Sequence, residues 1–246
     1  MTNDEAWLLK EKYNGIETTA FESDKARLAN GEPLAYVIGH IPFLDAIIHL
    51  DSHPLIPRPE TEYWTERAIE AIRTQKRAAP RILDLCAGSG AIGVAVLKAI
   101  PSSHVTFAEI DRAHLPTIAK NLDANGISCT RYQIFQSDLF SKCTGTFDFI
   151  LCNPPYIDPA LNRTEASVTA YEPHRALYGG EAGIELIENI IQAAAPHLSP
   201  HGELWIEHEP EQSKRMQMLA HECGFDITTE KDQYGIERFS IFTVTQ

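Results

Sequence analysis

An α/β fold built on a doubly wound, mostly parallel sheet is predicted by three observations. From Arg81 onward, apolar runs of strand length alternate with stretches of helix length, which is the pattern of repeated strand–helix–strand units. Gly88-Ser89-Gly90-Ala91-Ile92-Gly93 joins the first of these strands to its helix, a junction that puts ligands at the carboxyl ends of the strands. The last two apolar runs, Phe225–Thr229 and Phe239–Val244, have no helix between them and form an antiparallel terminal hairpin.

The elements follow in order. Residues 1–32 read as a short helical N-terminal region, with helices at Asp4 to Tyr13 and Phe21 to Asn30. Residues 33–56 read as a β-hairpin linker, in which Tyr36-Val37-Ile38 pairs with the loosely alternating Phe43 to Leu50. Residues 57–246 form the main domain. Pro57 and Pro59 break regular structure, and Thr61 to Arg77 carries helical apolar spacing at Trp64, Ala68, Ala71 and Ile72. Glu60 and Glu62 suit the first turn of that helix. Strands are expected at Arg81–Leu85, Val105–Glu109, Arg131–Phe135, Phe147–Leu151 and Glu203–Glu207. Helices are expected at Ala91–Ile100, Leu115–Asn125, Glu181–Pro196 and Glu211–Cys223. Asn162 to Tyr178 has weak periodicity, and its place in the chain suits a cover over bound substrate.

Bulk properties narrow the function classes. The 246 residues are 43% hydrophobic and 22% charged, an ordinary globular composition. No apolar stretch approaches the ~20 residues of a membrane span, and Met1-Thr2-Asn3-Asp4-Glu5 lacks the charged and apolar regions of a signal peptide. Five scattered cysteines without a C-x-x-C pair read as reduced thiols of a cytoplasmic protein. Glu207-His208-Glu209 is a local acidic and histidine cluster, but alternation along a strand splits its side chains between two faces, so no metal is expected. The formal charge of −13 disfavours stable binding to nucleic acid, which usually requires a basic stripe. Arg73, Lys76, Arg77 and Arg81 form the nearest candidate stripe, and they read equally well as a solvated helix end.

Asn153-Pro154-Pro155-Tyr156 follows the apolar run Phe147–Cys152. A loop of this composition offers the acceptor of the Asn153 side chain, the stiffly held carbonyl of Pro154, and apolar walls from Pro155 and Tyr156. Those groups suit a planar substrate bearing an NH2. The second motif is Asp84-Leu85-Cys86-Ala87-Gly88-Ser89-Gly90, with Glu109 about 20 residues on. Taken literally it matches a dinucleotide loop. Asp84, however, would repel a pyrophosphate and welcome an amino group, and Glu109 can accept from both hydroxyls of a ribose. Gly88 and Gly90 let the ligand approach the backbone closely. An amino acid, a sulfonium and a nucleoside together fit best, which is S-adenosylmethionine.

These residues and their flanks resemble the HemK/PrmC family of N5-glutamine methyltransferases. The resemblance covers Pro33-Leu34-Ala35-Tyr36 with Gly39 and Phe43, the more specific Ile56-Pro57-Arg58-Pro59-Glu60-Thr61-Glu62, and the two motifs above. It continues through Ser137-Asp138-Leu139-Phe140, Tyr171-Glu172-Pro173 before Ala176-Leu177, and Asp232, Gly235 and Arg238. It implies a class I (Rossmann-like) methyltransferase that uses S-adenosylmethionine, releases S-adenosylhomocysteine, and modifies the glutamine of the Gly-Gly-Gln loop of peptide chain release factors. It also implies that Asp138 and Leu139 flank the adenine and that Arg58 and Glu60 border the methionine pocket. Cys86 departs from the family, standing where many such loops have glycine. The N-terminal region is shorter than the family's multi-helix domain, which leaves the docking of the release factor and any auxiliary subunit open. The alternative reading is an RNA or DNA methyltransferase acting on adenine N6 or guanine N2 of a flipped base. A non-catalytic module that only binds S-adenosylmethionine is a third.

Overall fold

The computed structural model describes residues 1–161 and 165–245. It opens with α1 (Asn3–Tyr13), α2 (Thr19–Ala29) and a short α3 (Leu34–Ile38). Thr2 caps α1 in a reciprocal capping box with Glu5, and the Thr18 side chain caps α2, each satisfying backbone donors that a helix start leaves free. Leu8, Phe21 and Val37 form a small separate core under these helices.

The hairpin that follows pairs β1 (His40–Phe43) with β2 (Ala46–His49). Tyr36-Val37-Ile38 is therefore helical rather than a hairpin arm. A three-residue apolar run has no periodicity to separate helix from strand, and burial of Tyr36 and Val37 on one side of a helical turn, ended by left-handed Gly39, decides it.

The main domain comprises α4 (Pro59–Thr74), β3 (Arg81–Leu85), α5 (Ala91–Ala99), β4 (His104–Glu109), α6 (Leu115–Ala124), β5 (Tyr132–Gln136) and β6 (Phe147–Cys152). It continues with α7 (Ala166–Tyr171), α8 (His174–Leu177), α9 (Glu185–Ala194), β7 (Leu198–Glu207), α10 (Ser213–Glu222), β8 (Phe225–Lys231) and β9 (Glu237–Val244). The seven-stranded sheet has the order β5-β4-β3-β6-β7-β9-β8. Five strands are parallel, and β9 inserts antiparallel between β7 and β8. The predicted fold class is thus the observed one. The expected helix over Glu181–Pro196 is shorter, because Ala182 lies at φ 52 outside helical space and delays α9 to Glu185.

Alternation along the strands divides the core in two. Ile82, Phe149, Leu151 and Trp205 face α4, α5 and α6, while Leu83, Leu85, Ile150, Leu204 and Ile206 face α9 and α10. Each fully buried aliphatic side chain contributes about 1.5–3 kcal/mol. Gly93 in α5 sits against the ring of Phe107, which a Cβ at this position would overlap. This glycine of the Gly88–Gly93 pattern thus serves helix–sheet packing.

Candidate active site

The carboxyl ends of β3, β4 and β6 converge on a cavity of about 380 Å³. Its lining includes Cys86, Gly88, Glu109, Asp138, Leu139, Asn153 and Pro155. A second cavity of about 620 Å³ is lined by Asn153, Pro154, Tyr156 and Arg58, among others. Asn153 and Leu55 border both. The segment after β6 borders both cavities too, with Pro173, Arg175 and Tyr178 on the first and Val168 and Leu177 on the second. Part of the expected covering segment, residues 162–164, lies outside the described residues.

The glycine-rich loop is built by backbone needs. Gly88 and Gly90 have φ of 55° and 79°, conformations that only glycine adopts without cost. Cys86 at φ 59 and Leu139 at φ 43 adopt the same region without that freedom, and both line the first cavity. Strain of this kind gathers where a loop must follow a ligand. Ala87, Ser89 and Gly90 do not line the cavity. Ala87 donates its N–H to the Ala108 carbonyl, and the Ser89 carbonyl accepts from Asn121, so these residues hold the loop's shape.

Glu109 ends β4 with its carboxylate almost fully buried. Oε2 accepts the Gly88 N–H at 2.7 Å and Oε1 accepts the Asp111 N–H at 2.7 Å. A carboxylate has about four acceptor positions, so capacity remains on the side facing the cavity. Asp138 is exposed at the rim of the first cavity, and its side chain makes no hydrogen bond among the described residues.

Asp84 departs from the sequence expectation. It is fully buried and lines neither cavity. One oxygen accepts the Gly93 N–H at 2.9 Å, and the other has no partner among the described residues. Burial raises its pKa well above the ordinary 3.8, the Gly93 N–H opposes the rise, and Glu109 adds to it. The folded state therefore holds the proton more tightly than the unfolded chain, and ionising Asp84 costs stability. That cost is absent below the unfolded pKa and grows as pH rises from there toward the raised value. Asp84→Asn, which stays neutral, should gain melting temperature relative to the native chain on going from pH 4 to pH 7. Parallel curves of melting temperature against pH would show that Asp84 ionises normally.

Asn153 follows β6. Its side-chain nitrogen donates to Thr61 Oγ1 at 3.1 Å, while Oδ1 is buried without a partner among the described residues. Such an acceptor costs about 1–3 kcal/mol unless a ligand satisfies it. Tyr156 donates its hydroxyl to Glu207 Oε1 at 2.8 Å. Burial, with Glu207 beside it, holds the phenol well above its usual pKa, so Tyr156 stays neutral and does not serve as a base.

Two buried carboxylates outside the loops brace the site. Glu207, at the end of β7, is almost fully buried and gathers donors from Thr61, Trp64 and Tyr156. Its place at the carboxyl end of a central strand was the signal available. Glu172 accepts from the Ile56 N–H at 3.1 Å and from Arg58, tying the segment after β6 to the one before α4. Arg58 consequently borders the second cavity rather than the first, and Glu60 borders neither. His208 is split from Glu207, bonding Ser240 and the Glu209 carbonyl. Among the described residues no three His, Cys, Asp or Glu side chains group to hold a metal.

The basic cluster lies at the other end of the sheet. Arg81 begins β3, Arg77 pairs with Asp148 at 2.7 Å, and Arg73 donates to the Ala99 carbonyl. These contacts make it part of the scaffold, away from Tyr156.

Known proteins resemble this chain in sequence and in fold. Residues 65–170 match the family model described as methyltransferase small domain. A release factor glutamine methyltransferase of Rhodopirellula baltica is 34% identical over 90% of this chain and 77% of its own length. Those of Bordetella pertussis and Francisella tularensis are 33% and 36% identical, covering 87% and 74% of their lengths and 96% and 86% of this chain. Among solved structures, a methyltransferase from Pyrococcus furiosus superposes with TM-score 0.56 at 18% identity, over 91% of this chain and 99% of that one. A ribosomal protein L11 methylase from Lactobacillus delbrueckii subsp. bulgaricus gives 0.57 at 16% identity, over 78% and 81%. At these identities the two structures speak to the fold alone, the class I Rossmann-like one.

Proposed function

The chain belongs to the family of release factor glutamine methyltransferases, and from that premise we propose that it methylates the N5 nitrogen of the glutamine in the Gly-Gly-Gln loop of a peptide chain release factor. The observation that carries the reading is the Asn153 Oδ1, unpartnered among the described residues, at the boundary of two cavities. One cavity suits the methyl donor and the other a glutamine side chain.

The first cavity fits S-adenosylmethionine by the chemistry of its donors. Glu109 has acceptor capacity for a ribose, Gly88 allows close approach, and Asp138 and Leu139, which line the same cavity, would flank the adenine. When bound, the cofactor supplies a sulfonium methyl and leaves as S-adenosylhomocysteine. A carboxamide nitrogen is a poor nucleophile, because its lone pair is delocalised into the carbonyl. Asn153 would accept one of its N–H bonds and the Pro154 carbonyl the other, fixing the nitrogen and favouring the positive charge that grows on it. Orientation of this kind supplies several kcal/mol, with about 7–11 as its ceiling. Pro155 and Tyr156 would hold the amide plane. No strong base is needed, since an alkylated amide cation loses its proton readily.

A flipped adenine or guanine would also need an acceptor and a wall, but the basic cluster of Arg73, Arg77 and Arg81 lies at the opposite end of the sheet. We infer a cytoplasmic location from the free thiols and the protein substrate; among the described residues no helix is long and apolar enough to cross a membrane.

Mass spectrometry of a folded release factor incubated with enzyme and S-adenosylmethionine should find one added methyl on the Gly-Gly-Gln peptide. An unmodified peptide after full incubation would sink the proposal. Glu109→Ala removes acceptors for the ribose and also frees the Gly88 and Asp111 N–H groups. Cofactor affinity measured by calorimetry should fall about 10–100-fold, with turnover at saturating cofactor changing much less. Unchanged affinity would remove Glu109 from the site.

A further inference from the structure

We propose that Thr61 and Glu207 form a positioning relay that fixes which end of the Asn153 carboxamide faces the substrate nitrogen. The proposal rests on the reading of Asn153 as an acceptor given above. Glu207 lies at the carboxyl end of β7 and Thr61 in the first turn of α4. Both are almost fully buried, with exposures of 1% and 2%.

Trp64 Nε1, which can only donate, reaches Glu207 Oε2 at 2.6 Å. Thr61 Oγ1 reaches the same oxygen at 2.7 Å. Burial raises the pKa of Glu207, and the donors Trp64, Thr61 and Tyr156 with the charge of Arg238 oppose the rise; as a carboxylate it accepts at both oxygens, and the single hydroxyl proton of Thr61 is then committed to it. Toward Asn153 the hydroxyl then has only lone pairs to offer. Asn153 must therefore turn its NH2 to Thr61, at 3.1 Å, and leave Oδ1 for the cavity boundary, where it is unpartnered.

The inverted amide would fail twice. Its Oδ1 would meet the lone pairs of Thr61 with no proton between them, and its NH2 would meet a substrate that brings N–H donors of its own. A buried mismatch of this kind leaves polar groups unsatisfied away from water, which keeps one orientation dominant. Glu207 Oε1 accepts from Tyr156 at 2.8 Å, so the same carboxylate anchors the ring beside the substrate. Glu207 and Thr61 act through Asn153 and Tyr156; neither lines either cavity.

The test is a double-mutant cycle of Thr61→Val with Asn153→Ala, with Thr61→Ser and Thr61→Ala alongside. Single-turnover methyl transfer to folded release factor is measured at saturating S-adenosylmethionine, and cofactor affinity by calorimetry. Thr61→Val and Thr61→Ala should slow transfer about 10–100-fold, the scale for a mispositioned reacting group, with cofactor affinity kept within a few-fold. Thr61→Ser should recover most of the rate. In the Asn153→Ala background the loss of the Thr61 hydroxyl should add less than about 2-fold, since a relay through Asn153 has nothing left to orient. A readout apart from activity is solvent exchange of the Asn153 side-chain amide protons by NMR, which should quicken in Thr61→Val. Independent, multiplying losses in the double mutant, or unchanged amide exchange, would overturn the relay while leaving the acceptor role of Asn153 standing. Normal transfer by Asn153→Ala alone would overturn both.

Discussion

Asn153→Ala should lower turnover on a release factor by about 10²–10³-fold, the scale for losing one preorganised polar contact in a transition state. Cofactor affinity should stay within a few-fold, because Glu109, Gly88, Asp138 and Leu139 line the first cavity independently of this side chain. The fold should tolerate the change. Among the described residues Asn153 makes one side-chain hydrogen bond, to Thr61, and carries one buried oxygen without a partner. Removing it discards a bond worth about 0.5–1.5 kcal/mol together with an unsatisfied acceptor of comparable cost. Melting temperature should therefore move little while turnover collapses. That separation is what distinguishes a residue retained for chemistry from one retained for packing. Steady-state kinetics with calorimetry on one preparation measures both quantities. A variant that turned over normally would show that the loop only terminates β6.

Much of the site was legible because its residues are contiguous. Asn153–Tyr156 and Cys86–Gly90 each sit directly behind a largely apolar strand, so strand patterning alone carries both loops to the same edge of a parallel sheet. What was misread depends on direction or on distance along the chain. Asp84 lies between Leu83 and Leu85, which face α9 and α10. Alternation therefore turns its side chain the other way, onto the Gly93 N–H of α5 rather than toward the cavity. That much was available from the sequence. The donors that Glu207 gathers were not, since Thr61, Trp64 and Tyr156 lie 146, 143 and 51 residues away. No local pattern distinguishes a carboxylate that organises three donors from one that ends a strand in solvent. Arg58 shows the same limit. It directly precedes α4, yet its partner is Glu172, 114 residues along the chain.

Gly183→Ala should cost both stability and turnover, although Gly183 lines neither cavity. Its φ of +67 lies in the left-handed region, where a Cβ costs roughly 1–2 kcal/mol. The added Cβ would also overlap the Tyr156 carbonyl oxygen, with Gln212 Nε2 at 2.8 Å and the Asp158 N at 2.9 Å. Two of those three neighbours are backbone atoms, so no side chain can turn away to make room. Gln212 compounds the effect, because its Nε2 donates to the Tyr156 carbonyl at 2.8 Å and to the Gly183 carbonyl at 2.9 Å. This clamp holds the chain leaving Asn153-Pro154-Pro155-Tyr156 against the entry to α9. Overpacking costs a further 1–3 kcal/mol or so, giving a total near 2–5 kcal/mol that thermal or denaturant unfolding would register. The carbonyl that must give way belongs to the residue forming one wall of the second cavity, and a shift of about 1 Å in a positioning group costs on the order of 10²-fold in rate. Turnover of the folded fraction should fall to that degree, with cofactor affinity changed much less, since the displaced backbone borders the other cavity. An alanine variant with native melting temperature and native turnover would mean that the loop and α9 part freely, and that the asparagine is held by β6 and Thr61 alone.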